Sequence, residues 1–278
     1  MCRARAVVFL FVLIGSSVTA TAFEFNRTAD GSPIRWNAAQ PIHWKVASGT
    51  PEFVRSAFAD ALGKWSDASG GALSFVEAPG ASGGITLTYN TASTLQSVMA
   101  YTRCDVLSGR IFNASIELNA ATYNWETLYA AFLSPALLHE TGHALGLEHP
   151  AADGSTVVGA FRTADPPTMW ETLSLSARTL HYDDVIGLRT LYGLDTTSVD
   201  STFACSEKHR GKVYTFTASA APGDVYWNYG DGTSDATGAH RFPRGGYTVG
   251  AQSRGYTGTL NVQIGPVKAA AQRAPHKK

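Results

Sequence analysis

The stretch His139-Glu140-Thr141-Gly142-His143-Ala144-Leu145-Gly146-Leu147-Glu148-His149 constrains this chain more than any other. His139 and His143 are four residues apart. On a helix they stand one turn above the other on one face, where two imidazoles can grip one metal ion. A tetrahedral catalytic zinc with one open position needs a third protein ligand, and His149 is the candidate. On an unbroken helix its side chain would point roughly 240° away from that of His143, so the helix must end between them. Gly146 is placed to end it, because glycine accepts the left-handed backbone conformation that terminates helices. Glu140 neighbours the ligands without sharing their role. It suits a general base that takes a proton from a water at the open metal position and passes it to a departing amine. A surface helix with two chance histidines would need neither the glycine nor the third histidine.

The ends and the composition bound the rest. Arg3 and Arg5 precede the apolar run Ala6 to Ile14, and Ala20-Thr21-Ala22 is a small-x-small cleavage site. This reads as a signal peptide over residues 1–22, with Ala20 a second possible cut and Phe23 the first mature residue. The expected location is outside the cell, or the periplasm in a bacterium. No later stretch is apolar enough for a membrane span. The formal net charge is zero, which gives no basic field for nucleic acid or anionic membranes. Cleavage removes Cys2 and leaves Cys104 and Cys205, either one disulfide or two separate thiols.

Periodicity places elements along the chain. Pro41 to Val46, Leu73 to Glu77, Ile85 to Tyr89, Ser97 to Arg103 and Ile111 to Leu118 read as strands. Thr50-Pro51-Glu52 reads as a helix start with Thr50 at the cap. Val54, Ala57, Phe58, Ala61, Leu62 and Trp65 follow at helical spacing. Ser134-Pro135 is expected to open the helix that carries the histidines. Leu180 to Tyr192 reads as a further helix, with Asp183 and Asp184 favouring its N-terminal end. Residues 195–202, rich in Thr, Ser and Asp, read as a linker. From 203 to 265 short strands alternate with glycine turns, as in a small all-β module. Residues 266–278 read as a disordered tail.

At the histidine segment the chain resembles the metzincin metallopeptidases, whose pattern H-E-x-x-H-x-x-G-x-x-H is followed by a methionine turn. Met169, in Pro166-Pro167-Thr168-Met169-Trp170, matches that turn, which in the family forms a floor under the metal. Within the metzincins the chain is most similar to the matrixins. The similarity is carried by Ile34-Arg35-Trp36 through Val46, by Lys64-Trp65-Ser66, by Gly109 through Asn119 with Trp125, and by His181-Tyr182-Asp183-Asp184 through Gly193. The resemblance implies a catalytic domain over 23–194, a twisted mixed sheet with three helices, holding one catalytic zinc. It implies Asp183 or Asp184 as a partner for the mature N-terminal ammonium. It also implies an edge strand, Val98-Met99-Ala100-Tyr101, that pairs with extended peptide substrate.

The departures carry expectations of their own. No cysteine-switch propeptide is expected between signal peptide and domain, and Cys104 is read as a disulfide partner or plain thiol. The family's loop for a structural zinc and calcium is missing between Tyr89 and Ser97, so one zinc is expected, and calcium is left open with no motif to support it. Trp170-Glu171-Thr172 replaces the usual Pro-x-Tyr wall, so specificity does not carry over. Val225 to Thr233, His240-Arg241-Phe242 and Gly246 to Val249 resemble a PKD domain, a small β-sandwich. The fold class is therefore α+β followed by a PKD-like sandwich. That sandwich would bind a surface protein or polysaccharide, or act as a spacer. The function expected is a secreted, monomeric zinc endopeptidase acting on extracellular proteins. The alternative is a catalytically silent adhesion or binding protein on the same scaffold.

Overall fold

The computed structural model describes residues 23–150, 166–175, 177–210 and 212–264. The expected signal peptide, the tail and most of the segment between His149 and Met169 lie outside the described residues. Two short strands frame the first domain, β1 (Glu24–Phe25) and β7 (Leu147–Glu148), paired antiparallel. Between them run β2 (Ile42–Val46), α1 (Glu52–Ala68), β3 (Phe75–Glu77), β4 (Gly84–Asn90), β5 (Ala100–Leu107), β6 (Arg110–Asn119) and α2 (Ala130–Ala144). Among the described residues the next helix is α3 (Tyr182–Tyr192).

The sheet has the order β3-β2-β4-β6-β5. Its first four strands are mutually parallel, and β5 returns antiparallel to β6 at the edge. Parallel strands need crossovers. The first, from β2 to β3, contains α1, whose buried stripe of Val54, Phe58, Ala61, Leu62 and Trp65 packs into the core beside Leu137 and Leu138 of α2. Ile85, Leu87, Ile116 and Leu118 supply the sheet side of that core.

Several boundaries differ from the sequence reading. Pro51, not Thr50, is the residue at the cap of α1, and no side chain caps it. The Pro51 carbonyl takes the first helical bonds from Val54 and Arg55, while the buried Thr50 hydroxyl lacks a hydrogen-bond partner. Helix α2 begins at Ala130, so Pro135 lies inside it rather than opening it. The proline omits one backbone bond, and packing of the nearly all-buried segment Leu133 to Ala144 overrides that local cost. Helix α3 starts at Tyr182 because the His181 ring accepts from the Asp183 N–H and caps it. Its other end closes on left-handed Gly193.

The C-terminal module comprises β8 (Ala204–Arg210), β9 (Val213–Ser219), β10 (Tyr226–Asn228), β11 (Ser234–Asp235), β12 (Ala239–His240), β13 (Gly245–Ser253) and β14 (Tyr256–Ile264). These form two antiparallel sheets, β11-β10-β13-β14 and β12-β9-β8. They share a thin core of Phe216, Trp227, Tyr229, Val249, Ala251 and Val262. The His240 ring stacks on Tyr229 at 4.1 Å and pairs with Asp231 at 2.7 Å, a structural use of both polar groups. Residues of the expected linker are tied to the module: Thr202 bridges Thr257, and the Thr257 N–H bonds the Ser201 carbonyl.

Cys104 and Cys205 are both unpaired and belong to different domains. The Cys104 thiol lies 3.6 Å from the His143 carbonyl, and burial, then Asp105, pushes it up to about 12. It is a packed, protonated thiol.

Candidate metal centre and active site

Helix α2 carries His139, Glu140 and His143, and the chain turns immediately after Leu145. The turn is made at Gly146, with φ +101°. A Cβ on this residue would lie 2.3 Å from the Ile34 carbonyl oxygen, so only glycine lets the leader strand pass so close. The Gly146 carbonyl in turn accepts from the Asn26 N–H at 2.9 Å. This turn swings His149 back towards α2.

The three imidazole Nε2 atoms converge, with separations of 3.0 Å (His139–His149), 3.0 Å (His143–His149) and 3.1 Å (His139–His143). His139 Nδ1 lies 2.8 Å from the Thr168 carbonyl and His143 Nδ1 lies 3.0 Å from the Leu147 carbonyl. A carbonyl only accepts, so both Nδ1 atoms carry the proton and both Nε2 atoms present lone pairs. Burial lowers the pKa of His139, to about 3, and of His143, which keeps both rings neutral. Lone pairs meeting at hydrogen-bond distance with no proton between His139 and His143 require a cation. Three nitrogens at this spacing suit an ion that binds imidazole at about 2.0–2.1 Å. The carbonyl partners are the outer contacts that commonly orient metal-bound histidines.

Other side chains fix the helix that bears them. Trp36 Nε1 donates to the Ala144 carbonyl at 2.8 Å, Trp65 Nε1 to the Leu138 carbonyl at 3.0 Å, and the Tyr192 hydroxyl to the Leu145 carbonyl at 2.9 Å. Met169 is buried against Gly142, where an added Cβ would come within 2.3 Å of the thioether sulfur. It packs against the helix between the turns that carry His139 and His143. Asp184 accepts from the Thr168 N–H at 2.6 Å and the Met169 N–H at 3.2 Å. Asp183 and Asp184 are both buried at the start of α3, and Asp184 ties that helix to the backbone at Thr168 and Met169.

Glu140 is 7% exposed and borders a cleft of about 770 Å³ that also takes in the three histidines. Burial raises its carboxyl to about 7, opposed by a hydrogen bond from Thr102. The Thr102 hydroxyl donates to Glu140 Oε2 at 2.6 Å. Thr102 was not among the sequence candidates. The signal was there: on β5 the alternation buries Ala100 and exposes Tyr101 and Arg103, which turns Thr102 towards α2.

The edge strand differs from the expected Val98-Met99-Ala100-Tyr101. Strand β5 begins at Ala100, and Val98 and Met99 precede it. The Asn119 side chain donates to the Gln96 and Val98 carbonyls, and the Asn119 N–H donates to the Met99 carbonyl. The chain bends at Met99, and the strand starts at Ala100, two residues later than expected. All four residues still line the cleft, together with Glu171, Thr172 and Leu173.

Residues 35–193, more than half of the chain, match the sequence profile of the Matrixin family. No curated protein matches the chain in sequence. Among solved structures, the chain is similar to High choriolytic enzyme 1 (HCE-1), a hatching enzyme zinc-protease from the medaka fish Oryzias latipes. The two are 12% identical, with a TM-score of 0.35, over 64% of this chain and 97% of that one. With a three-histidine cluster that fits zinc and a family profile running from residue 35 to the end of α3, the chain belongs to the matrixin family of zinc metallopeptidases.

Proposed function

We propose that this protein is a secreted zinc endopeptidase that cuts extracellular proteins. His139, His143 and His149 hold the zinc and Glu140 acts as general base and acid. The observation that carries the reading is the buried Glu140 carboxyl beside the three convergent imidazoles, at the wall of an open cleft. Zinc, when bound there, supplies a Lewis acid that polarises the scissile carbonyl and acidifies water to a pKa of about 7. Glu140 takes the proton of the attacking water and returns it to the departing amine nitrogen. Thr102 holds the carboxylate in place. Substrate adds as a further strand along β5 from Ala100 to Arg103, with backbone hydrogen bonds that tolerate many sequences. Among the described residues, no helix is long and apolar enough to cross a membrane.

Two finer points belong to this reading. Signal cleavage after Ala22 leaves Phe23 as the N-terminus, and the Phe23 side chain packs on Gly187 of α3. Asp183, one helical turn before Gly187, is the partner for the new ammonium, since Asp184 is committed to the methionine turn. An N-terminal extension of one residue should lower activity, and unchanged activity would refute the pairing. The module from β8 to β14 is PKD-like, and its Gly230-Asp231-Gly232 turn uses positive φ at both glycines. Its outer faces are available for attachment to a surface protein or polysaccharide.

The deciding experiment is casein digestion by the purified mature protein, with and without a zinc chelator, beside Glu140→Ala. Wild type should cleave, and the chelated and mutant samples should not. Undiminished cleavage by Glu140→Ala would overturn the mechanism. Folded, zinc-loaded wild type without cleavage would establish a silent scaffold instead.

A further inference from the structure

The tip of the β13–β14 hairpin is Arg254-Gly255, both at positive φ (49° and 77°). This tip does not face solvent. Arg254 is 1% exposed, a rare state for arginine. Its guanidinium is spent on the loop that underlies the histidines: Nη1 donates to the Pro166 carbonyl at 2.7 Å, Nη2 to Thr168 Oγ1 at 3.0 Å, and Nε to the Thr179 carbonyl at 3.2 Å. The Arg254 carbonyl accepts from the Tyr182 N–H at 2.9 Å, at the start of α3. Gly255 sits against the His181 ring so closely that a Cβ would come within 2.4 Å of it. Tyr256 meets Tyr182 edge to face, with ring centroids 5.3 Å apart.

Thr168 is therefore held from every side. Asp184 takes its N–H, Arg254 takes its hydroxyl, and its carbonyl accepts from His139 Nδ1. The guanidinium and the Asp184 carboxylate grip one peptide segment whose outward carbonyl sets the orientation of a zinc-site imidazole. A buried arginine costs desolvation unless its donors are satisfied, and here they are satisfied by the metal floor of another domain.

We propose that Arg254 is a positioning residue for the zinc site, so that the C-terminal module is a structural part of the metal centre rather than a detachable appendage. The proposal rests on the reading of His139 as a zinc ligand. Its route is Arg254 to Thr168 to His139, and partners of metal-bound histidines typically matter by about 10–100-fold in metal affinity.

The test measures zinc affinity of the full mature chain by chelator competition, together with the absorption spectrum of the cobalt-substituted protein. Arg254→Ala should bind zinc about 10- to 100-fold more weakly than wild type, with a shifted cobalt spectrum. Arg254→Lys should recover part of the affinity. Thr248→Val, on an exposed strand position of the same module, should match wild type. Arg254→Ala that folds and binds zinc with wild-type affinity would overturn the proposal. Should that variant not fold, Thr168→Val carries the test, and wild-type zinc affinity in it would likewise overturn the relay. His139→Ala separates the two levels: undiminished zinc binding there defeats the ligand assignment itself, whatever Arg254 does.

Discussion

Substitution of Gly146 by alanine isolates what brings the third histidine to the first two. Two costs add. The backbone stands at φ +101°, a conformation L-residues avoid at about 1–3 kcal/mol. The new methyl would also lie 2.3 Å from the Ile34 carbonyl oxygen. That oxygen belongs to backbone that is itself pinned, by Ile34 N–H to Asn26 O and Asn26 N–H to Gly146 O, each 2.9 Å. The leader segment must move or the turn must open, at about 1–3 kcal/mol for overpacking. The sum is about 2–6 kcal/mol, a large share of a typical folding stability of about 5–15 kcal/mol. With a urea slope of about 2 kcal/mol/M, a loss of about 4 kcal/mol lowers the midpoint by about 2 M. Gly193→Ala is the matched control, because it shares the positive φ (+66°) but has nothing within 4 Å of the added carbon. Urea melts of the two variants, with zinc affinity by chelator competition, separate the conformational cost from the clash. The reasoning fails if Gly146→Ala loses no more stability than Gly193→Ala, or keeps wild-type zinc affinity.

Two further outcomes follow from the site. Thr102→Val removes the hydroxyl that holds Glu140 Oε2; a bond to a charged group is worth about 1.5–3 kcal/mol, so kcat should fall at least about tenfold with KM little changed, and an unchanged kcat in steady-state peptide cleavage would refute the role. Gly142→Ala sets about 1 kcal/mol of helix propensity against a methyl 2.3 Å from Met169 Sδ and 3.0 Å from Trp65 Cζ2. Overpacking at about 1–3 kcal/mol should win, so the melting temperature should drop, and a rise would mean that the methionine floor yields without cost.

The local pattern specified the histidine spacing, the glycine between them and the apolar stripe of α1, because each depends on the geometry of one element. Val54, Phe58, Ala61, Leu62 and Trp65 are buried along α1. The errors arose where another segment intervened. Thr50 read as a cap, but the turn before α1 left its hydroxyl buried. Pro135 read as a helix start, but the core held the turn before it. Val98 and Met99 read as strand, but Asn119 had claimed the carbonyls at 96, 98 and 99. The pattern left Asp183 and Asp184 undistinguished, and only packing put Asp184 on the Thr168 and Met169 N–H groups.

By itself, then, the sequence determined the metal chemistry on offer, because His139, Glu140 and His143 lie within one helical turn or little more of each other and Gly146 supplies the break that His149 needs. The tertiary structure alone decided what positions those groups. Thr102 reaches Glu140 from 38 residues away, Asp184 reaches Met169 from 15, and Arg254 reaches Thr168 from 86. No period of helix or strand relates residues so far apart. Their meeting depends on strand order and on the docking of the C-terminal hairpin, which are settled only when the whole chain buries its core.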